Sequence, residues 1–391
     1  YALVDGLVGS EMCIRDRRGD KVIDATGKIL TPGIIATDTD IGIVEIGALS
    51  VTRDDSSDLY QIGFSIYDAF NPNSVLIPWN RSNGITSAMT LPQNTDSPIG
   101  GLGSFFVLDS NIEVSGIKDN VMIGRVGGSG SKSRSETFAV IEDLLEFASS
   151  LNLKDMESYK DIADLIGDSP IAESMDLHPR DIKALYNLVN NDLPLIINAN
   201  RASDLLKLID LKLKYDLNLI IMGAQEAGLV ADKIAKNNIP LIINPINNIP
   251  ESFDELAANI ELAAYLENQG ITLMFNAPRS HNFHLIRQGA GVAVANGMSY
   301  AGALRALTSS PVEVFNLGDR GEIVAGKVAD LIIWDADPLE PSSMPEKVFI
   351  NGKDIDLTSR MTRLTDRYIK NKDKPSIYRN SVSYTHLRAH E

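Results

Sequence analysis

The sequence predicts an α/β protein, a parallel sheet closed into an eight-stranded barrel with a small antiparallel β module after it. Three observations predict this. From Pro194 to Asn276 the apolar runs PLIINA, LNLIIM, IPLIIN and ITLMFN alternate with helical segments. They recur at intervals of roughly 22 to 32 residues, which suits βα units. Each run is continuously apolar rather than alternating, as expected of strands buried on both faces. Past residue 310 the style changes to short strands between glycine turns: Arg320–Val328, Ala329–Trp334 and Lys347–Gly352.

Taken in order, Lys21–Ala25 is a short strand candidate closed by Thr26–Gly27. In Lys28–Asp40 (KILTPGIIATDTD), Pro32–Gly33 separates two apolar runs, and two aspartates follow. Such punctuation reads as a turn delivering a buried strand, with Asp38 and Asp40 at its C-terminal end. That end of a parallel barrel carries the chemistry. Residues 41–65 read as a long loop. Gly84–Leu91 is a second strand, Ser104–Leu108 an inserted strand or hairpin, and Asn120–Arg125 a third strand. Ser133 and Glu136 form a capping box ahead of a helix. A weak eighth strand is expected near 150–190. Helices are expected from Ser203 to about Tyr215, from about Glu226 to Lys236, and from Ser252, capped with Glu255, to Gly270. A further helical pattern follows His281.

Composition narrows the function classes. The 391 residues carry a formal net charge of -16 and no basic run longer than two, which argues against nucleic acid as a partner. No run of about 18 apolar residues reads as a transmembrane helix. Leu7–Arg17 (LVGSEMCIRDR) and Ser381–Glu391 (SVSYTHLRAHE) resemble translated frames of a sequencing adapter and its complement. Residues 1–17 and 381–391 are therefore set aside as foreign. The lone Cys13 and the pair His386 and His390 go with them. The native N-terminus is expected to be missing, so cytoplasm and periplasm cannot be separated.

The polar residues at predicted strand ends are the candidate site. Asp38 and Asp40, two apart on a strand, would share one face as metal ligands or an acid/base pair; the alternative is that they tie loop backbone. Asn198, Asn200 and Arg201 end the PLIINA strand, where they would bind a ligand carboxylate or amide or form a turn. Glu226 opens the next helix and suits its positive end. Asn244, Asn247 and Asn248 read as turn residues. Arg279, His281 and His284 follow the last barrel strand, and His281 is the general acid/base candidate. His178, before Pro179, reads as a loop residue.

Three stretches together resemble the amidohydrolase superfamily, in its imidazolonepropionase-like, composite-domain branch. They are Gly27–Asp40, the strand–helix series from Pro194 to Thr308, and Gly321–Leu339 (GEIVAGKVADLIIWDADPL), the most specific. The resemblance implies a TIM-like (β/α)8 barrel over residues 31–309 and a small composite β-sandwich built from both chain ends. The sandwich would take 18–30, the remnant of its N-terminal half, and 310–375. It also implies metal-assisted hydrolysis of a non-peptide C–N bond in a small substrate, a divalent ion lowering the pKa of bound water to about 7. The family's His-x-His position reads Asp38-Thr39-Asp40, and its fifth-strand histidine position reads Asn198. The sixth strand is followed by Gly223-Ala224-Gln225-Glu226, and the eighth ends in Asn276-Ala277-Pro278-Arg279. An oxygen-rich set of Asp38, Asp40, Asn198, Glu226 and Asn276 would suit Mg²⁺ or Ca²⁺ better than zinc.

Two functional classes follow. One is a hydrolase with Asp40 and His281 catalytic, Asn198, Asn200, Arg201, Asn276 and Arg279 on the substrate, and Asp38, Asp40 and Glu226 as metal ligands. The other is an inactive relative that binds a small ligand or pairs with an active paralogue or a second copy of itself.

Overall fold

The computed structural model describes residues 23–93, 95–109, 111–128, 132–152, 158–247, 249–279 and 282–369. The expectations for residues 1–17 and 381–391, and for His281 and Asn248, therefore lie outside the described residues. Among the described residues twelve strands are formed: β1 (Ile29–Pro32), β2 (Ile34–Thr39), β3 (Ile85–Thr90), β4 (Ile99–Val107), β5 (Gly116–Arg125), β6 (Leu195–Ala199), β7 (Leu219–Gly223), β8 (Leu241–Ile243), β9 (Leu273–Phe275), β10 (Leu331–Trp334), β11 (Pro345–Ile350) and β12 (Lys353–Asp354).

Strands β2 to β9 make one eight-stranded sheet in sequence order. The Thr37 hydroxyl donates to the Phe275 carbonyl at 2.6 Å, bringing the first and last strands together into a TIM-like barrel. The continuously apolar runs are buried throughout, as their pattern required: Ile196, Ile220, Ile221, Ile242 and Met274 are fully inaccessible. The eighth strand is not near 150–190. That region forms helices at Tyr159–Asp168, Pro170–Ser174 and Pro179–Asn190. The missing strand is β4, the inserted hairpin strand, which runs antiparallel to both β3 and β5. Its glycines and apolar residues let it lie wholly inside the sheet.

The chain ends meet in a second sheet, ordered β1-β10-β11-β12 and antiparallel throughout. Pro32–Gly33 is where the chain leaves this sheet for the barrel. A Cβ on Gly33 would lie 2.1 Å from the Thr86 hydroxyl, so only glycine passes. Trp334 fastens the modules: it is fully buried, its Nε1 donates to Thr31 Oγ1 at 2.8 Å, and the Arg287 guanidinium lies 5.0 Å over its ring. Arg287 also donates to the carbonyls of Pro338, Glu340 and Ser343.

Three further expectations are corrected. Ile23–Ala25 and Arg320–Val328 form no strand. The helix expected from Ser252 begins only at Leu262. The side chains at 254 and 255 explain the delay. Glu255 accepts from Asn200 Nδ2 at 2.8 Å and Asp254 pairs with Arg134 at 2.6 Å, so 252–261 is drawn out across the barrel end.

Candidate active site at the barrel mouth

A cavity of about 440 Å³ opens at the C-terminal ends of the parallel strands. Its lining follows from strand direction. Asp38 stands on β2, Arg125 ends β5, Asn198 lies on β6 and Met222 on β7, while Gln93 and Arg279 follow β3 and β9.

Arg279 organises this mouth. Its Nε donates to Asp38 Oδ1 at 2.5 Å, and its Nη1 donates to the carbonyls of Pro92 at 2.9 Å and Leu91 at 3.4 Å. Asn276 Nδ2 donates to the other Asp38 oxygen at 3.2 Å. Asp38 is only 8% exposed, so the guanidinium supplies the counter-charge that a buried carboxylate requires. Both Asp38 oxygens are thus engaged. Nη2 of Arg279 makes no hydrogen bond among the described residues.

Asp40 lies one residue past β2 and is not part of the lining. Its carbonyl accepts from the N–H groups of Ile43 and Val44, which turns the chain. Burial pushes its carboxyl up to about 6; Arg279 opposes the rise, and Asp55 and Asp38 add to it.

The other predicted residues separate into two groups. Asn198 reaches the cavity, and among the described residues its side chain makes no hydrogen bond. Asn200, Arg201 and Glu226 instead hold loops. Asn200 Oδ1 accepts from the Gln225 N–H at 3.4 Å, a contact that needs Gly223: at φ +87°, a Cβ there would lie 2.4 Å from that oxygen. Arg201 pairs with Asp254 at 3.3 Å. Glu226 accepts from the N–H groups of Ala202 at 2.9 Å and Ala257 at 3.4 Å, tying the start of the Ala202–Tyr215 helix to the drawn-out segment. Arg134 completes that clamp, bridging Asp204 at 2.7 Å and Asp254 at 2.6 Å. Asn244 accepts from the Ile246 N–H, the turn its residue type suggested. His178 caps the Pro179–Asn190 helix, and His284 packs edge-on to Trp79 at 5.3 Å.

Sequence reasoning missed Arg125 and Gln93. The signal for Arg125 was present: it is the last residue of an apolar strand, at the end where side chains face the mouth.

The divalent ion implied by the resemblance is not fitted by these residues. Asp38, Asp40 and Glu226 do not converge; among the described residues no three of His, Cys, Asp and Glu are grouped to hold a metal. Asp38 is held by a guanidinium and an amide, and Glu226 by two backbone donors.

Comparison with known proteins agrees with this architecture. The amidohydrolase family model matches residues 203–355. Amidohydrolase tasK of Hapsidospora irregularis is 22% identical over 362 residues, covering 85% of this chain. The chain spans only 37% of that protein's length. The crystal structure of an amidohydrolase from Thermotoga maritima MSB8 superposes with a TM-score of 0.73 at 22% identity, covering 87% of this chain and 90% of that one. At that identity the likeness speaks for the fold, and the fold is a barrel joined to a sheet made from both chain ends. The family match runs from the late βα units into that sheet, so this part of the chain is similar to the amidohydrolase family in sequence as the whole is in fold.

Proposed function

We propose that the chain is a hydrolase that cleaves a non-peptide C–N bond of a small substrate at the barrel mouth, without a metal ion in the usual place. The observation that carries this is Arg279. A guanidinium fixed by Asp38 and two strand-end carbonyls, with no bond at Nη2 among the described residues, is a preorganised donor for a carbonyl oxygen that gains charge as water adds to its carbon. Asn198 and Arg125 supply further donors around the same cavity. Asp40 is the carboxyl assigned to proton transfer, because Asp38 and Glu226 are already engaged and burial poises Asp40 near neutrality. Standing one residue past β2 and beyond the lining, it takes the attacking water's proton by way of a bridging water and returns it by the same route to the departing nitrogen.

One observation favours a second reading, a ligand-binding relative without catalysis. Asp38, the carboxylate inside the cavity, is neutralised by Arg279, and each of its oxygens already accepts a hydrogen bond. A panel of amides, lactams and dipeptides separates the two, assayed with purified protein before and after chelation. The hydrolase reading expects turnover that survives chelation and a rate rising with pH through about 6, the rise disappearing in Asp40→Asn. Absence of turnover across the panel would leave the binding reading. Turnover abolished by chelation and restored by one equivalent of a divalent metal would overturn the metal-free site.

A further inference from the structure

A second cavity, of about 540 Å³, lies beside the mouth and shares Arg125 with it. It is walled by the residues before β4 and by the helices at Arg134–Ser150 and Pro170–Ser174. Its floor belongs to the apolar core, since Ile62, Leu144 and Leu177 line it and are buried. Its charged lining is mostly acidic. Four carboxylates, Asp96, Glu136, Asp176 and Asp181, stand against two cations, Arg125 and Lys132.

Most of these charges are committed. Glu136 pairs with Lys132 at 3.2 Å. Asp181 accepts from the N–H groups of Gly63 at 2.6 Å and His178 at 2.8 Å. Arg125 has a partner of its own. Asp96 and Asp176 remain. Both are exposed, and among the described residues neither carboxylate makes a hydrogen bond or an ion pair. Thr137 is an independent sign of a ligand. It lines the cavity and is only 6% exposed, yet its hydroxyl makes no hydrogen bond among the described residues. A hydroxyl buried to that extent is ordinarily paired, and the space it adjoins is this cavity.

We propose that the cavity is a second ligand site, for a small organic cation: a primary ammonium ion with an apolar body. The ammonium donates an N–H to the Thr137 hydroxyl, Asp96 and Asp176 balance its charge, and its carbon skeleton lies on the floor at Ile62 and Leu144. The same excess of carboxylates repels anions. A metal ion is not the cation that suits it, because no three carboxylates or histidines among the described residues are grouped to ligate one. The site does not depend on what the mouth does, and Arg125 has no role in it.

The test is calorimetric titration of the full chain at neutral pH with butylamine, hexylamine and octylamine, with hexanol and hexanoate as matched controls. The amines are expected to bind, with affinity rising about threefold to fourfold per methylene until the floor is covered. Hexanol should bind about tenfold more weakly than hexylamine, and hexanoate not at all. Asp96→Asn combined with Asp176→Asn should weaken the amines by about 3- to 30-fold. That variant is expected to fold, because both residues are exposed and asparagine tolerates the φ of +51° at position 176. Thr137→Val should weaken them by about 3- to 10-fold. Val140→Trp, which fills the cavity from its helix wall, should abolish binding. Hexanol or hexanoate binding as tightly as hexylamine would overturn the proposal, and so would failure of the parent protein to bind amines. Unchanged affinity in the double asparagine variant would do the same. So would amine binding that survives Val140→Trp, which would be diffuse attraction to a chain of net charge -16. The two readings fail separately. Amine binding with no amide turnover removes the hydrolase and keeps this site, and turnover with no amine binding does the reverse.

Discussion

Replacing Asp40 by asparagine should stabilise the protein at pH 8 and do much less at pH 4. The carboxyl is partly buried, and its pKa rises from an ordinary 3.8 to about 6 in the folded chain. The folded state thus binds more protons than the unfolded state between those values, and stability falls as pH rises through that window. Above it the ionised group costs up to about 3 kcal/mol, since one pKa unit corresponds to about 1.4 kcal/mol. Asp40 keeps some contact with solvent, and screening reduces the expected gain to about 1–2 kcal/mol. Asparagine is nearly isosteric and leaves the backbone turn at Ile43 and Val44 intact. Urea unfolding of both proteins at the two pH values, compared through midpoints at equal slope, reads the difference directly. An equal shift at both pH values would refute the electrostatic reasoning. A loss of stability at pH 8 would mean that Asp40 gains more from Arg279 than it loses by burial.

Three other perturbations test the remaining structure. Arg279→Gln strands a buried carboxylate and should cost about 3–5 kcal/mol. Adding Asp38→Asn should recover most of that loss, and a double-mutant cycle with no coupling would show that the pair is not a unit. Glu226→Ala removes the acceptor for two backbone N–H groups and should cost about 1–3 kcal/mol; hydrogen exchange should quicken at Ala202 and across 252–261, and unchanged protection there would contradict the clamp. Trp334→Ala opens a cavity between the modules and should cost about 3–5 kcal/mol. If thermal unfolding of that variant stayed within 1 °C of the parent, the tail sheet would not be coupled to the barrel.

Much of the scaffold could be read from the chain. Four continuously apolar runs at βα spacing require a parallel sheet covered on both faces, whatever their partners are. The Pro32–Gly33 break marks the passage from the small sheet to the barrel, because only a residue without Cβ clears Thr86. Of the expected Ser133–Glu136 capping box, the half that forms among the described residues is local chemistry, the Ser133 hydroxyl accepting from the Glu136 N–H. Where reading failed, distant partners decided. The 252–261 segment has a helix-start pattern, but Glu255 and Asp254 are held by Asn200, Arg134 and Arg201, as many as 120 positions away in the chain for Arg134. The eighth barrel strand was assigned to a region that packs as helices, since a hairpin strand between β3 and β5 fills the gap without a crossover.

The candidate site divides in the same way. Strand direction alone placed Asp38, Asn198 and Arg279 at the barrel mouth, because side chains at the C-terminal ends of parallel strands converge there. Their roles came from tertiary structure. Asp38 and Arg279 are 241 positions apart, and only the closure of the barrel brings them to 2.5 Å. That contact turns a carboxylate with the sequence position of a metal ligand into half of an ion pair. Glu226 likewise became a backbone tie because the 252–261 segment crosses above it. Composition and periodicity report burial and local geometry; which carboxylate is left to act depends on its counter-charge, and folding selected that from the far end of the chain.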